Sequence, residues 1–538
     1  MLIGFVSDEM DIAIADAQLE FIGPDGASVE TRSRASGAVH AELAPGPWRV
    51  VLAASGHGRK WLDLGITPDM SPVRFRLQSD RLLGYAWPKW ARAGDQVELR
   101  VHSPEPYYAS LWRYGWEKEE VLEIGRFESF GPGGDRQILP DGDIAASGVA
   151  WNHGARRFPP GDQSFITAPD RTGLYYVHLE GLDTGEFFSF PLIVAPAEPL
   201  ARIAVLCSNL DWNAYNDYGG RSNYVAAWGL PPTPVLNPHQ DGPYLRDTGG
   251  RFWDRDDYQP LSLDRPEPVN RTERDATVLD VMTRIGEEHV APGTWRILGW
   301  LEREGFAHDV WAETQLHAGE LDLDRYSVLI LDQHPEYWTR DMYFTVKTWV
   351  DERGGKLMYL GGNGINCEVT IDGHQVTHHD TDQSEFIARR SYLPGPDSEI
   401  PSRFSKRVEN EAALLGVSTT LTGMGTGAPY AVIDADHWAF EGTGLEAGDL
   451  FGLGWLDARN PGGASGHETD KRNTATPAGT RLVARGTNAN EGGAELVTFE
   501  TASGGEVYSV GSISYGASMI VDDVLTHITR NVIRHLLR

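Results

Sequence analysis

Residues 327–366 constrain the fold most, because they contain the patterns of a strand, a helix and a second strand in succession. Residues 328–331 are a short continuous apolar run, typical of a strand buried on both faces. The apolar residues that follow recur with the spacing of one helix face: Met342, Val346, Trp349 and Val350. Gly354 supplies a helix C-cap, and residues 356–360 form a second apolar run. The stretch therefore predicts a right-handed crossover between two parallel strands.

A polar loop follows each of these two predicted strands. Residues 332–336 (DQHPE) follow the first strand, and residues 361–364 (GGNG) follow the second. In open α/β sheets, ligands bind outside the carboxyl ends of the strands. The sequence therefore predicts that the chemistry takes place at this edge of the sheet.

The rest of the chain predicts an α/β + β protein of three domains. Residues 1–80 and 81–197 alternate short apolar runs with proline- and glycine-rich turns, which predicts two β-sandwich-like modules. The proline-flanked segment APAEP at 195–199 marks a domain boundary. From residue 200 to 538 the pattern predicts a flavodoxin-like α/β catalytic domain, of the kind that class I glutamine amidotransferases also use.

Two aromatic-rich segments need separate predictions. Residues 219–275 form a long insertion with little periodicity, and its aromatic residues favour an ordered lid: Tyr244, Phe252, Trp253 and Tyr258. A second group falls in a segment without clear periodicity, which we interpret as a loop that packs in a core or an interface: Tyr107, Tyr108, Trp112, Tyr114 and Trp116.

Charge and cysteine content restrict the partners and the compartment. The formal net charge of −30 argues against nucleic acid and anionic membranes as partners. Two cysteines cannot build a disulfide framework, so a reducing cytoplasm is expected. The N-terminal segment has no basic region of a secretory signal, and no apolar run approaches the about 20 residues that span a bilayer. We therefore expect a soluble, cytoplasmic protein.

Covalent nucleophilic catalysis has little support in the sequence. The elbow of a glutamine amidotransferase would fall at residues 361–364, which contain no thiol. Cys367 lies three residues later, and we interpret it as a buried structural cysteine. There is also no Gly-x-Ser-x-Gly elbow, no Walker loop and no His-Glu-x-x-His helix.

The polar residues that remain at the predicted strand ends are rich in oxygen. Glu336 follows one strand closely, with His334 two positions before it, and Tyr215 lies near the end of a neighbouring strand. Phenolate and carboxylate are hard anionic donors that suit a highly charged cation such as ferric iron. Two simpler interpretations stay open: Tyr215 packs in its loop, or the His-Pro-Glu turn only introduces a helix whose dipole favours the acid.

Several motifs in order resemble one enzyme family. They are residues 214–224 (AYNDYGGRSNY), 262–266 (SLDRP), 332–338 (DQHPEYW), 361–364 (GGNG), 466–471 (GHETDK) and 510–514 (VGSIS). Together they resemble the catalytic domain of the N,N-dimethylformamidase large subunit, over residues 201–538. That family hydrolyses a tertiary formamide to formate and an amine, with a mononuclear iron held by two tyrosines and one glutamate.

The resemblance implies ligands for a ferric ion. Tyr215 and Glu336 match the first tyrosine and the glutamate by motif. We assign the second tyrosine to Tyr258, and the rival assignments are Tyr218, Tyr224 and Tyr244. The family's large subunit is longer, with an additional β-rich domain that we expect this chain to lack. The known enzyme also has a small subunit, so a small subunit and a homo-oligomer are expected partners besides the small amide substrate.

Three residues are predicted to take part in catalysis. Asn363 is a hydrogen-bond donor to the tetrahedral oxyanion, or a turn residue that tolerates the left-handed conformation. Glu468 or His334 moves the proton from water to the leaving amine. His334 instead orients Glu336 in the alternative interpretation.

Two other classes of function stay open. The first is a hydrolase of a different small amide that uses another metal, held by a polar loop with these side chains: His374, His378, His379, Asp380 and Asp382. The second is a non-catalytic binding or scaffold protein built from the same domains.

Overall fold

The computed structural model describes residues 1–128, 139–151, 165–236, 258–284, 286–379, 403–420, 425–489 and 492–538. The predicted lid residues Tyr244, Phe252 and Trp253 lie outside these ranges, as do Asp380 and Asp382.

A nine-stranded sheet forms the centre of the C-terminal part of the chain. In spatial order its strands are Asp309–Ala312, Ile203–Cys207, Val328–Leu331, Lys356–Tyr359, Glu506–Ser509, Glu495–Glu500, Arg481–Gly486, Tyr430–Val432 and Leu450–Phe451. The first five strands are parallel, and the last four join in antiparallel fashion. The apolar runs lie in the parallel half, where every residue of Val328–Leu331 is buried.

The predicted strand–helix–strand unit is confirmed. Val328–Leu331 and Lys356–Tyr359 pair in parallel, and the helix Arg340–Arg353 joins them. The Thr339 hydroxyl caps this helix by accepting a hydrogen bond from the Met342 N–H at 3.3 Å. Gly354 ends it in the left-handed conformation, with φ of +76°. The helix and strand periods in the sequence thus sufficed to place these elements.

The α-helices of the described residues are Ile144–Ser147, Asn209–Tyr215, Ala291–Arg303, Glu313–His317, Arg340–Arg353, Arg403–Arg407, Ala412–Leu415, Ser514–Met519 and Asp523–Leu536. Short 3₁₀ turns occur at Pro268–Asn270, Glu287–His289, Leu323–Arg325 and Trp438–Phe440. None of the helices in the described ranges is long and apolar enough to cross a membrane.

The described residues up to 195 form four sheets. The first sheet has three strands, in the spatial order Ala38–His40, Leu2–Ser7 and Val73–Arg76. The second has four strands, in the order Ser28–Arg32, Gln18–Ile22, Gly46–Ala54 and Gly58–Ile66. The third sheet has three strands, in the order Phe165–Thr167, Gln96–His102 and Leu83–Trp87. The fourth has five strands, in the order Lys118–Phe127, Tyr107–Tyr114, Gly173–Gly181, Phe187–Ala195 and Trp90–Arg92. The flavodoxin-like fold class and the domain boundaries at 80 and 197 stay predictions.

The interpretation of residues 107–116 as a loop is wrong. Tyr107–Tyr114 is an eight-residue strand in the middle of a sheet, paired on both sides. Tyr107 and Tyr114 are buried, as expected for core aromatics. The alternation of a strand is hard to see here because nearly every position of this strand is buried or aromatic.

We expected a polar loop at residues 372–384, and the part of it that the structure describes, residues 372–379, belongs largely to a hairpin. Cys367–Asp372 pairs in antiparallel fashion with Gln375–His378, in a small sheet with Leu261–Ser262 and Tyr337–Trp338. Cys367 is buried in this strand, as predicted. The His378 ring is also buried and packs edge-on against Tyr337, with ring centroids 4.8 Å apart.

Asp522 holds the start of the last helix, and its loss is expected to destabilise the fold. Its carboxylate accepts from the Leu525 N–H at 2.8 Å and from the Leu453 and Gly454 N–H groups at 2.8 and 3.1 Å. We expect Asp522→Ala to lower the free energy of unfolding by about 1–3 kcal/mol, measured by urea denaturation. The exposed neighbour Asp523 is the control, since Asp523→Ala removes only an interaction with the helix dipole. Equal effects of both substitutions would contradict this role.

Candidate metal centre and active site

Three neighbouring parallel strands direct polar segments to the same edge of the nine-stranded sheet. The helix Asn209–Tyr215 follows the strand Ile203–Cys207 after one residue, which corrects our expectation of a loop at Tyr215. Residues 332–336 follow Val328–Leu331, and residues 361–364 follow Lys356–Tyr359. Because these strands are parallel neighbours, their carboxyl ends bring the three segments together.

His334 joins two of the predicted metal ligands. Its Nε2 lies 3.1 Å from the Tyr215 hydroxyl and 3.2 Å from Glu336 Oε2. Its Nδ1 lies 3.0 Å from the Gly362 carbonyl oxygen, to which it donates. Tyr215, His334 and Glu336 are each at most 2% exposed. The structure therefore brings these three predicted residues into one buried cluster.

The Glu336 carboxylate is held by groups from distant parts of the chain. The Arg403 guanidinium donates to Oε1 at 2.5 Å, and the Tyr224 hydroxyl donates to Oε2 at 3.0 Å. The Glu336 N–H donates to the Asp211 carboxylate at 3.1 Å. The strand Tyr337–Trp338 separates Glu336 from the helix Arg340–Arg353, so the interpretation of the His-Pro-Glu turn as a helix entry is wrong.

Opposite charges stabilise each other within this cluster. Burial alone would raise the pKa of Glu336, but the charge of Arg403 and the hydrogen bond from His334 lower it to about 2. Burial alone would lower the pKa of His334, but the hydrogen bond to Glu336 and the charge of Glu468 raise it to about 9. At neutral pH the cluster thus contains an ionised carboxylate next to an imidazolium.

Asn363 and Glu468 lie beside the cluster. Asn363 has φ of +56°, so it is the left-handed turn residue of one interpretation, and its N–H donates to Asp470 at 2.8 Å. Its side-chain oxygen accepts from Asn366 and Thr419, and the same side chain hydrogen bonds to Glu468. Burial raises the pKa of Glu468 to about 7, against the opposing effect of the His334 charge. The Glu468 Oε2 is buried and makes no hydrogen bond among the described residues.

The candidate second tyrosines occupy different places. Tyr258 is buried before the strand Leu261–Ser262. Tyr224 is half-buried and contacts both Glu336 and Tyr215, whose ring centroid is 4.5 Å away. Tyr218 donates to Gln78 at 2.6 Å, in the N-terminal part of the chain. The assignment of the second ligand to Tyr258 stays a prediction.

A second polar cluster adjoins the first, and the sequence did not reveal it. Glu288 Oε1 lies 3.2 Å from His467 Nδ1 and 3.7 Å from His289 Nδ1. The His289 ring stacks on Tyr215 with centroids 4.9 Å apart. Burial raises the pKa of Glu288 to about 8 and lowers that of His467 to about 3. Glu288 and His289 carry no motif, whereas His467 lies inside the motif GHETDK.

Two groups of three side chains could hold a metal ion among the described residues. One consists of Asp211, His334 and Glu336, and the other of Glu288, His289 and His467. The first adjoins the Tyr215 phenol, and its Glu336 carboxylate is ionised, so these two oxygen donors suit a hard cation such as ferric iron. The protonated His334 offers no lone pair to an ion, and burial raises the pKa of Asp211. Arg403 and Asp211 were not predicted, since neither belongs to a local pattern.

Comparison with known proteins identifies related sequences. Residues 150–526 match the family model described as N,N-dimethylformamidase beta subunit-like, C-terminal. The chain is 24% identical to the N,N-dimethylformamidase beta subunit of Paracoccus aminophilus, over 70% of this chain and 54% of that protein. It is also 24% identical to the protein of the same name from Alcaligenes sp, over 69% and 54%. The chain thus spans about half the length of these two relatives.

Similarity to solved structures is much weaker. The major pilin subunit BcpA of Bacillus cereus is similar at a TM-score of 0.14 and 10% identity, over 38% of this chain and 71% of that chain. A score this low does not indicate a shared fold. The relatives' names specify a beta subunit, whereas the motifs were compared with a large, catalytic subunit, so the resemblance is confirmed at the level of the family. The family model covers well over half of the sequence, and the chain belongs to the N,N-dimethylformamidase beta subunit-like, C-terminal family.

Proposed function

We propose that this protein is an iron-dependent amidohydrolase that cleaves small N-substituted formamides, such as N,N-dimethylformamide, to formate and an amine. The proposal depends on one observation above all: Tyr215, His334 and Glu336 form a buried cluster at the strand ends of a chain of this family. Because the chain spans about half the length of the named relatives, their activity is transferred here only as a proposal.

A ferric ion would be held by Tyr215, Tyr258 and Glu336. When bound, it would supply Lewis acidity for the formyl carbonyl and for a water molecule. The ionised state of Glu336 supports this assignment, because a metal ligand must give up its proton. Arg403 and Tyr224 fix the direction of the carboxylate.

The protein's own groups handle the protons and the developing charge. We assign proton transfer to Glu468, because its pKa of about 7 lets it both accept and release a proton near neutral pH. We assign the orientation of Glu336 to His334, since the two His334 nitrogens already bind Gly362 on one side and Glu336 on the other. Asn363 donates a hydrogen bond to the oxyanion, and Asn366 and Thr419 hold its side-chain oxygen.

We expect Glu468→Gln to lower kcat about 10²–10⁴-fold while the iron content stays unchanged. Glutamine keeps the shape of the side chain but cannot shuttle the proton. Amine release from N,N-dimethylformamide and elemental analysis measure the two quantities. Glu506→Gln is the matched control, because Glu506 is also buried and also has a raised pKa. Glu506 lies at the amino end of its strand, which pairs in parallel with Lys356–Tyr359, so it is at the edge of the sheet opposite the candidate site. Full activity of Glu468→Gln would exclude this role.

We also propose that the chain works in an assembly. The two relatives are each named as a beta subunit, which supports a further subunit. The small size of that subunit and the homo-oligomer are part of the proposal itself. The native mass of the protein purified from its source, measured by light scattering, tests the assembly. A mass near the 59.4 kDa of this chain, with no second polypeptide, would contradict it.

A further inference from the structure

We propose that Glu288, His289 and His467 bind a divalent transition-metal ion at a second site, next to the Tyr215–Glu336 cluster. Two imidazoles and one carboxylate form a ligand set that zinc and ferrous iron use in enzymes, with positions left open for water or substrate. The site is independent of the proposed ferric ion, because it shares no ligand with it.

The distances between the three side chains suit one ion. An ion with tetrahedral bonds of about 2.0–2.1 Å holds its ligand atoms about 3.3 Å apart. Glu288 Oε1 lies 3.2 Å from His467 Nδ1 and 3.7 Å from His289 Nδ1. All three ligand atoms lie within 4.8 Å of one another. Small side-chain rotations would therefore complete the coordination.

The polar side-chain atoms of Glu288 and His289 are buried without hydrogen-bond partners. Glu288 and His289 are 1% and 3% exposed. Within the described ranges, neither oxygen of the Glu288 carboxylate and neither ring nitrogen of His289 makes a hydrogen bond to another residue. Each such buried atom without a partner destabilises the folded state. A bound cation would satisfy the carboxylate and one imidazole at the same time.

His467 adds a third possible ligand atom, its Nδ1, next to the carboxylate. Its Nδ1 lies 2.5 Å from Asn460 Nδ2, which also donates to Asp457 at 2.9 Å. With Asn460 as donor, His467 Nδ1 and Glu288 Oε1 face each other as two acceptors only 3.2 Å apart. A cation between them turns this repulsion into coordination. The Asn460 amide then competes with the cation for His467 Nδ1. When the cation displaces this amide, Asn460 keeps its hydrogen bond to Asp457.

The two sites are neighbours with His289 between them. The His289 ring stacks on Tyr215, and its centroid lies 4.5 Å from the centroid of His334. A metal ion at Glu288 therefore lies near the proposed reaction centre. Substitutions can still separate the two sites, since Glu288 and Glu336 come from different segments.

Metal titration of the full-length protein tests the second site. The protein is treated with chelator, reloaded with iron, and titrated with Co²⁺ while visible absorption is followed; Zn²⁺ content is then measured by elemental analysis. We expect one equivalent of Co²⁺ or Zn²⁺ in addition to iron. Glu288→Gln and His467→Ala should each weaken this binding roughly 100-fold or more, since changes outside the ligands themselves already cost 10–100-fold.

Three control variants distinguish Co²⁺ binding at the second site from binding at the iron centre or at the protein surface. Glu336→Gln should lose the iron and keep the Co²⁺ site, so failure of the proposed function and failure of this inference can be distinguished. Asn460→Ala should bind Co²⁺ as tightly as the wild type or more tightly, because it removes the competitor for Nδ1. His374→Ala tests the histidine-rich hairpin and should change nothing.

The inference is overturned if Glu288→Gln and His467→Ala bind Co²⁺ and Zn²⁺ as the wild type does, or if the wild type binds neither ion. In that case Glu288, His289 and His467 share a proton and bind no metal ion. Thermal unfolding of each variant verifies that the fold is intact. If Glu288→Gln does not fold, His467→Ala decides the question, because the His467 side chain is 22% exposed and its loss is better tolerated.

Discussion

Replacing Glu336 is expected to remove both the proposed iron and the proposed formamide hydrolysis. Glu336→Ala and the shape-matched Glu336→Gln should each lower iron content at least about tenfold, and kcat/KM about 10³-fold or more. Tyr215→Phe should have the same direction of effect, because the phenol oxygen is the proposed ligand. Elemental analysis and amine release from a panel of N-substituted formamides measure the two losses.

A tyrosine elsewhere in the core provides the control for Tyr215→Phe. Tyr326 is buried and its hydroxyl binds Trp311 at 2.9 Å and Asp309 at 3.0 Å, at the amino ends of the strands. Tyr326→Phe loses hydrogen bonds but should keep iron and activity. Normal iron content and activity in both the Glu336 and the Tyr215 variants would exclude the proposed centre. Zinc in place of iron in the purified protein would favour a hydrolase that uses another metal.

The second large effect is expected at Arg265, which holds the site together without contacting it. Its guanidinium is fully buried and donates to three segments through the carbonyl oxygens of Ser262 at 2.9 Å, Tyr218 at 2.5 Å and Asn213 at 3.1 Å. Arg265→Met keeps most of the volume but removes the guanidinium donor from all three carbonyl oxygens, of which that of Asn213 keeps a 3.3 Å hydrogen bond from the Asn216 N–H. We expect a loss of about 3–5 kcal/mol in the free energy of unfolding.

Urea denaturation measures the stability of Arg265→Met, and elemental analysis measures its iron content. Because Asn213 is two residues from Tyr215, the iron content should fall as well. Arg171→Met is the control, since the Arg171 side chain is 58% exposed and its loss should cost less than about 1 kcal/mol. A stability of Arg265→Met within about 1 kcal/mol of the wild type would show that other contacts hold these segments.

The sequence predicted the elements whose pattern is local. The helix Arg340–Arg353 and its two flanking strands were predictable because apolar residues recur with helical spacing in the helix and form continuous runs in the strands. A glycine also marks the end of the helix. The short helix Asn209–Tyr215 was missed because all seven of its residues are buried, including polar ones, so no amphipathic pattern exists. Tyr107–Tyr114 was missed for a related reason, since a strand buried on both faces does not alternate.

The candidate site was predictable only in part. Tyr215, His334 and Glu336 were found because two strand ends and an ordered set of motifs pointed to them, and the structure places them in contact. Arg403 is 67 residues from its partner Glu336, and a lone arginine next to a serine and a phenylalanine carries no signal. Glu288 and His467 lie still further apart along the chain, so only the folded arrangement reveals them.

The way in which Glu336 is held has a consequence for engineering. Tyr224 donates to one carboxylate oxygen of Glu336 and Arg403 donates to the other. Tyr224 belongs to the segment of residues 219–236, and Arg403 begins the helix Arg403–Arg407. Grafting either segment from a relative in order to accept a bulkier amide would also change the acidity of the carboxylate. Such chimaeras are expected to lose their metal before they gain a new substrate, so selection for altered specificity should begin by screening for metal retention.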